Sequence, residues 1–75
     1  MGDLSGVSKR ELMFDRQESF NDLAVLAIAK LSGIKHYKDG TVDERIRSNL
    51  RIIEVIGQEC ERRGFDPAQF RQERD

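Results

Sequence analysis

The chemistry that this sequence could perform would centre on one thiol and one imidazole. The 75-residue chain has a single cysteine, Cys60, and a single histidine, His36, which could pair as nucleophile and base. Cys60 falls on an apolar helical stripe, where a free cysteine packs as a small hydrophobic side chain. Acidic pairs such as Asp43–Glu44 are typical of solvated helix faces and N-terminal dipole partners. We therefore expect no catalytic residue and no enzymatic activity.

The same inventory leaves no residues for a cofactor or a metal. One cysteine and one histidine cannot supply the four ligands of structural zinc, and no glycine-rich phosphate loop occurs. A lone cysteine is typical of a reducing compartment, which predicts a cytoplasmic location. A net charge of −1 gives poor support for nucleic acid or an anionic membrane as the main partner. The apolar run 23–29 is far shorter than the roughly 20 residues that cross a bilayer.

The first helix is marked by capping signals at both ends. Ser8 with Glu11 fits a capping box, and Ser19 offers a second possible start, so either residue could begin the helix. Gly33 supplies the left-handed residue that ends helices. Residues 1–7 are interpreted as a flexible tail, and residues 8–75 as a single domain.

A second long helix and a short third one follow a loop. Thr41 and Glu44 form another capping box, and the helix that they open is expected to run to Arg63, with Gly64 as the left-handed residue that ends it. Asp66–Pro67 is typical of a helix start, and the third helix should end near Gln72. The predicted fold is all-α: two long antiparallel helices in a hairpin, with a short C-terminal helix.

The two long helices carry more apolar surface than a hairpin can cover. Val25, Ile28 and Ala29 lie on the far side of the first helix, and Ile52, Val55 and Ile56 spread around the second. A helix that is apolar on several sides is buried on several sides. Within the hairpin, the alanines and Gly57 would allow close backbone approach of the two helices. A second copy would complete a four-helix-bundle-like dimer. The core and dimer seam is assigned to Phe20, Leu23, Ala24, Ala27, Ile28, Leu31, Ile46, Leu50, Ile53 and Gly57.

A partner-binding surface is predicted on the outer side of the second helix. Val55 lies there among arginines, and arginine beside an apolar anchor is typical of binding hot spots. The loop between the long helices is a second candidate. The residues assigned to partner binding are Arg51, Ile52, Val55, Arg62, His36 and Tyr37.

One segment resembles the helix-turn-helix of repressors of the lactose-repressor type. Residues 28–34, Ile-Ala-Lys-Leu-Ser-Gly-Ile, are followed by Thr41–Val42. In those repressors an Ala-rich helix ends at a Gly, and a Thr-Val pair opens the recognition helix. The resemblance covers about 20 residues and implies a dimeric DNA-binding regulator. The turn is longer by about three residues, and Asp43 and Glu44 stand where the recognition helix would meet phosphates.

These observations favour a protein that acts by binding another protein. We expect a small non-enzymatic interaction module, an adaptor, inhibitor or assembly factor, that works as a homodimer. Its expected partners are a second copy and an unidentified protein, with no membrane. The alternative is the DNA-binding regulator, for which nucleic acid would be the partner. A salt titration separates the two, because DNA binding weakens steeply as salt rises.

Overall fold

The computed structural model of the protein is a hairpin of two long helices, and it describes residues 4–37 and 40–69. Helix α1 spans Lys9–Leu31 and helix α2 spans Val42–Arg63. Between them, strand β1, His36–Tyr37, pairs antiparallel with strand β2, Gly40–Thr41. A 3-10 turn follows at Pro67–Gln69. The predicted hairpin of two long helices is confirmed.

Helix α1 begins at the first of its two possible starts. The Ser8 hydroxyl accepts a hydrogen bond from the Glu11 backbone N–H at 3.1 Å, so Ser8 and not Ser19 is the N-cap. At the other end Gly33 has a φ of 81°, and the Ile34 N–H donates to the Ala29 carbonyl at 2.9 Å. This pattern satisfies carbonyls of the last turn and requires the left-handed backbone that glycine adopts without strain.

Helix α2 is capped in the same manner. The Thr41 hydroxyl accepts from the Glu44 N–H at 3.1 Å and lies 3.0 Å from the Glu44 carboxylate, to which it donates. Gly64 has a φ of 84°, and the Phe65 N–H donates to the Cys60 carbonyl at 3.1 Å. The Phe65 ring packs back on the core around Cys60. The caps that the sequence predicts for α2 are therefore confirmed.

Two connecting segments differ from the prediction. The loop between the helices contains a short ribbon in which His36 pairs with Thr41 and Tyr37 pairs with Gly40. The Tyr37 ring packs against the core beside it, which gives the ribbon an apolar contact. The predicted third helix is represented in the described residues only by the 3-10 turn, and its expected end near Gln72 lies outside them.

The core consists of two clusters at opposite ends of the hairpin. The turn-side cluster joins Leu26 and Ala29 of α1 to Val42 of α2, with Tyr37 and Ile46 packed against it. The open-end cluster comprises Leu12, Met13, Ile56 and Cys60, with Leu4, Val7 and Phe65 packed against it. The helices thus pack antiparallel along most of their length. A DNA-binding helix-turn-helix instead has its helices crossing at about 90–120°.

Helix α1 turns a different side towards α2 from the one that the sequence predicts. Leu26 is fully buried and Ala29 is buried, whereas Phe20 is 40% and Leu31 is 89% exposed. The prediction that Phe20 and Leu31 pack inside the hairpin, and that Ala29 and Ile56 lie outside its core, is therefore wrong. The close backbone approach predicted at Gly57 is also wrong, because a Cβ there would meet nothing within 4 Å among the described residues. Of the other seam residues, Ala24, Ala27, Ile28 and Leu50 are exposed, and Leu23, Ile46, Ile53 and Gly57 are half-buried.

Two polar residues in the middle of the interface between α1 and α2 cause this difference. Ser19 and Asn49 are buried, and the Asn49 amide donates to the Arg45 carbonyl at 3.0 Å. Because Ser19 and Asn49 are polar, an apolar pattern assigns the next residues, Phe20 and Leu50, to the packed face instead. Each predicted stripe therefore lies one position, about 100°, further around the helix. The seven-residue spacing of a coiled-coil seam instead connects Leu12, Ser19 and Leu26 in α1, and Val42, Asn49 and Ile56 in α2.

Candidate protein-binding surfaces

One side of the hairpin exposes a row of apolar residues. Phe20 and Leu50 each directly follow a buried polar residue of the seam, so in an antiparallel pair they lie on the same side. From Phe20 the row continues along α1 at intervals of four and three residues, which keeps it on one helix face. We call this surface the apolar flank; it comprises Phe20, Ala24, Ala27, Leu31 and Leu50.

The apolar flank exposes large apolar side chains. Leu31 and Leu50 are 89% and 51% exposed, and Ile28, three residues before Leu31, is 66% exposed. The Arg16 guanidinium stacks over the Phe20 ring, 4.8 Å from its centroid, and covers part of that end. Exposed apolar patches are typical of interaction sites, so the apolar flank is a candidate site.

A groove with acidic residues on its rim lies elsewhere on the hairpin. It has a volume of about 340 Å³. Its apolar lining comes from both helices and from Leu4 of the N-terminal segment, while Asp15 and Glu18 stand on the α1 side. We call it the acid-rimmed groove; it is lined by Leu4, Leu12, Asp15, Glu18, Ser19, Ile52, Val55 and Ile56.

The residues predicted to bind a partner are only partly brought together. Ile52 and Val55 both line the acid-rimmed groove, but Arg51 does not. Arg62 is bonded to Glu59, with its Nε 2.9 Å from Glu59 Oε1. The charged groups that line the groove with Val55 are therefore carboxylates of α1, which the sequence pattern of α2 alone could not reveal.

The two loop candidates lie at the other end of the hairpin. Tyr37 is half-buried against the turn-side cluster, and His36 is exposed. His36 lines an open depression of about 650 Å³ together with Lys35 and Arg47. Within that depression the Lys30 ammonium lies 2.6 Å from Asp43 Oδ1. This hydrogen bond lowers the pKa of the Asp43 carboxyl.

A cluster of charged residues fixes the N-terminal wall of the groove. The Arg63 Nη2 donates to the carbonyl oxygens of Leu4 at 2.8 Å and Val7 at 2.6 Å, and its Nε donates to Glu59 at 2.6 Å. Hydrogen bonds from Arg62 and Arg63 lower the pKa of the Glu59 carboxyl to about 2. The spacing of Glu59 from the two arginines is visible in the sequence, whereas the contact with Leu4 is not.

The thiol and the imidazole are not arranged for catalysis. Cys60 is fully buried in the open-end cluster, and burial raises the pKa of its thiol. His36 lies in the ribbon before Val42, and Val42 is about 27 Å from Cys60 along the axis of α2. No group of three or more metal-binding side chains occurs among residues 4–37 and 40–69. These side chains thus offer no assembled catalytic or metal centre within the described structure.

The described residues form a small helical hairpin with two candidate surfaces, the apolar flank and the acid-rimmed groove. Comparisons with family models, with curated proteins and with solved structures found no match for the chain. Within the described ranges, neither helix has the length and apolar character needed to cross a membrane.

Proposed function

We propose that the protein is a non-enzymatic protein–protein interaction module that acts as a homodimer in the cytoplasm. The proposal rests on the apolar flank, an exposed apolar surface that the hairpin itself does not cover. A homodimer of this kind can serve as an adaptor, an inhibitor or an assembly factor, since each of these functions by binding.

The shape of the chain supports a second copy as the cover of the apolar flank. The radius of gyration is 14.0 Å, against about 11 Å for a compact domain of this length. The two helices form a single layer, whereas stable domains pack at least two layers around a core. A second hairpin, placed flank to flank about a twofold axis, supplies that layer and forms a four-helix bundle.

The chain exposes more surface than a compact monomer of its mass. The chain exposes 5910 Å², whereas a compact monomer of the same mass exposes about 4,700 Å². The excess is larger than the roughly 800 Å² that each partner contributes to a standard interface. Ala24 and Ala27 sit in the middle of the flank, and their small side chains let two backbones approach closely.

Solution mass tests this proposal. Light scattering coupled to size exclusion should give about twice 8.7 kDa at micromolar concentration. Ala27→Glu should give a monomer that is much less stable than the wild-type dimer, because Ala27 is exposed in the hairpin but the substitution would place an unpaired charge in the dimer seam. Ala68→Glu, a matched substitution at another exposed alanine, should leave the dimer intact.

Two results would contradict the homodimer. One is a wild-type monomer that unfolds cooperatively and independently of protein concentration, because a hairpin alone would then suffice. The other is an Ala27→Glu variant that keeps the mass of the wild type, because the seam would then lie on another surface.

A further inference from the structure

We infer that the acid-rimmed groove binds a basic, apolar-anchored helical segment of another protein. The inference rests on the proposed function and names the chemistry of the partner. Its support comes from the lining of the groove, from the charge on its rim, and from the position of the described residues that follow α2.

The lining of the groove fits apolar side chains on one face of a helix. Ile52, Val55 and Ile56 come from α2, and Leu12 comes from the facing side of α1. Along α1 the groove extends from Leu12 to Ser19, which is about 10 Å or two helical turns. A helix laid in such a groove inserts side chains from successive turns, at positions three and four residues apart.

The rim selects the charge of the bound segment. Asp15 and Glu18 are three residues apart and so lie on one face of α1. Neither carboxylate has an ion pair with any residue in the described part of the chain. The groove lining contains no basic side chain to balance them. A segment with Lys or Arg beside its apolar anchors therefore complements the rim, and an acidic segment is repelled.

The chain's own described residues leave the groove open. After α2, residues 64–67 and Gln69 line a separate depression beside Gly57 and Glu61. Gly57 and Val55 are two residues apart, so they point to nearly opposite sides of the helix. The chain thus leaves α2 on the side away from the groove, which favours an outside segment as the occupant.

The test uses two synthetic peptides that differ only in charge. Each has about 16 residues, enough for a marginally stable helix, with leucines on one face. Lysines flank the leucines in one peptide and glutamates flank them in the other. Binding to the full-length protein is followed by fluorescence anisotropy. We expect the lysine peptide to bind at least about tenfold more tightly, with an advantage that shrinks as salt is added.

Variants then assign the preference to the groove. The double variant Asp15→Asn, Glu18→Gln should bind both peptides about equally, because it removes the rim charge and keeps the shape. The double variant Glu54→Gln, Glu61→Gln is the control: it removes the same charge from exposed positions outside the groove and should keep the preference. Val55→Ser should weaken binding of the lysine peptide by removing an anchor contact.

Three results would overturn the inference. Equal binding of both peptides to the wild type, or a preference that survives in the Asp15→Asn, Glu18→Gln variant, removes the role of the rim. The triple variant Phe70→Ser, Arg71→Gln, Arg74→Gln tests the chain's own C-terminal residues. If it binds the lysine peptide more than tenfold better than the wild type, those residues occupy the groove instead.

The mass of each sample separates this inference from the proposed homodimer. A dimer without charge preference contradicts only the groove assignment. A monomer that keeps the charge preference contradicts only the homodimer.

Discussion

Replacing Arg63 with methionine should detach the N-terminal segment from the open end of the hairpin. The Arg63 side chain is 20% exposed, and its Nη2 bonds to the carbonyls of Leu4 and Val7. Hydrogen bonds from a charged donor contribute about 1.5–3 kcal/mol each. Methionine keeps part of the packing and the freed carbonyls reach water, so we expect a net loss of about 2–3 kcal/mol. For a domain of this size that lowers Tm by roughly 10–20 °C.

Thermal unfolding followed by circular dichroism measures the loss, and hydrogen exchange locates it. The Val7 N–H, which donates to the Leu4 carbonyl at 3.0 Å, should exchange faster in the Arg63→Met variant. Arg62→Met is the matched control, because it removes the same charge from a side chain that is 59% exposed. Its cost should stay below about 0.5 kcal/mol. Equal losses from the two variants would refute the special role of Arg63.

Three further predictions concern single positions in α2. Gly57→Ala should raise the free energy of unfolding by about 0.5–1 kcal/mol, because a Cβ there meets nothing within 4 Å; a lower Tm would show that another backbone approaches closely. Thr41→Ala should lower the free energy of unfolding, measured by urea denaturation, by about 1 kcal/mol because it removes the N-cap, whereas Thr41→Ser should retain most of that stability. The Glu59 carboxyl has a folded pKa of about 2, below its ordinary 4.5, so its ionised form stabilises the fold above pH 4.5. This stability is lost as the pH falls towards 2, and Glu59→Gln should flatten that part of the plot of stability against pH.

The helix boundaries were predictable because their signals are local. Ser8, Thr41, Gly33 and Gly64 each act on backbone groups within a few residues, so the sequence identifies the caps. The choice between Ser8 and Ser19 could not be made in this way. It depends on the burial of Leu12 against α2, which is a tertiary contact.

The packed face and the groove could not be read from apolar periodicity. Buried Ser19 and Asn49 occupy seam positions that a hydrophobic pattern assigns to neighbours. The acidic rim of α1 lies beside apolar residues of α2, and the Arg63 contacts likewise join separate parts of the chain. Leu4 and Arg63 are 59 positions apart. The sequence did indicate surplus apolar surface on α1, and Val25 and Ile28 are indeed exposed, but it placed Phe20 and Leu31 inside the hairpin.

The division of the core into two clusters gives the chain an order of folding. Leu26 and Val42 of the turn-side cluster are 16 residues apart, whereas Leu12 and Cys60 of the open-end cluster are 48 apart. Closing the longer loop costs about 1 kcal/mol more chain entropy, so the turn-side contacts should form first and the helices should zip towards the open end. In a kinetic analysis Leu26→Ala should therefore slow folding, while Ile56→Val should mainly speed unfolding. Equal effects of both on the folding rate would contradict this order.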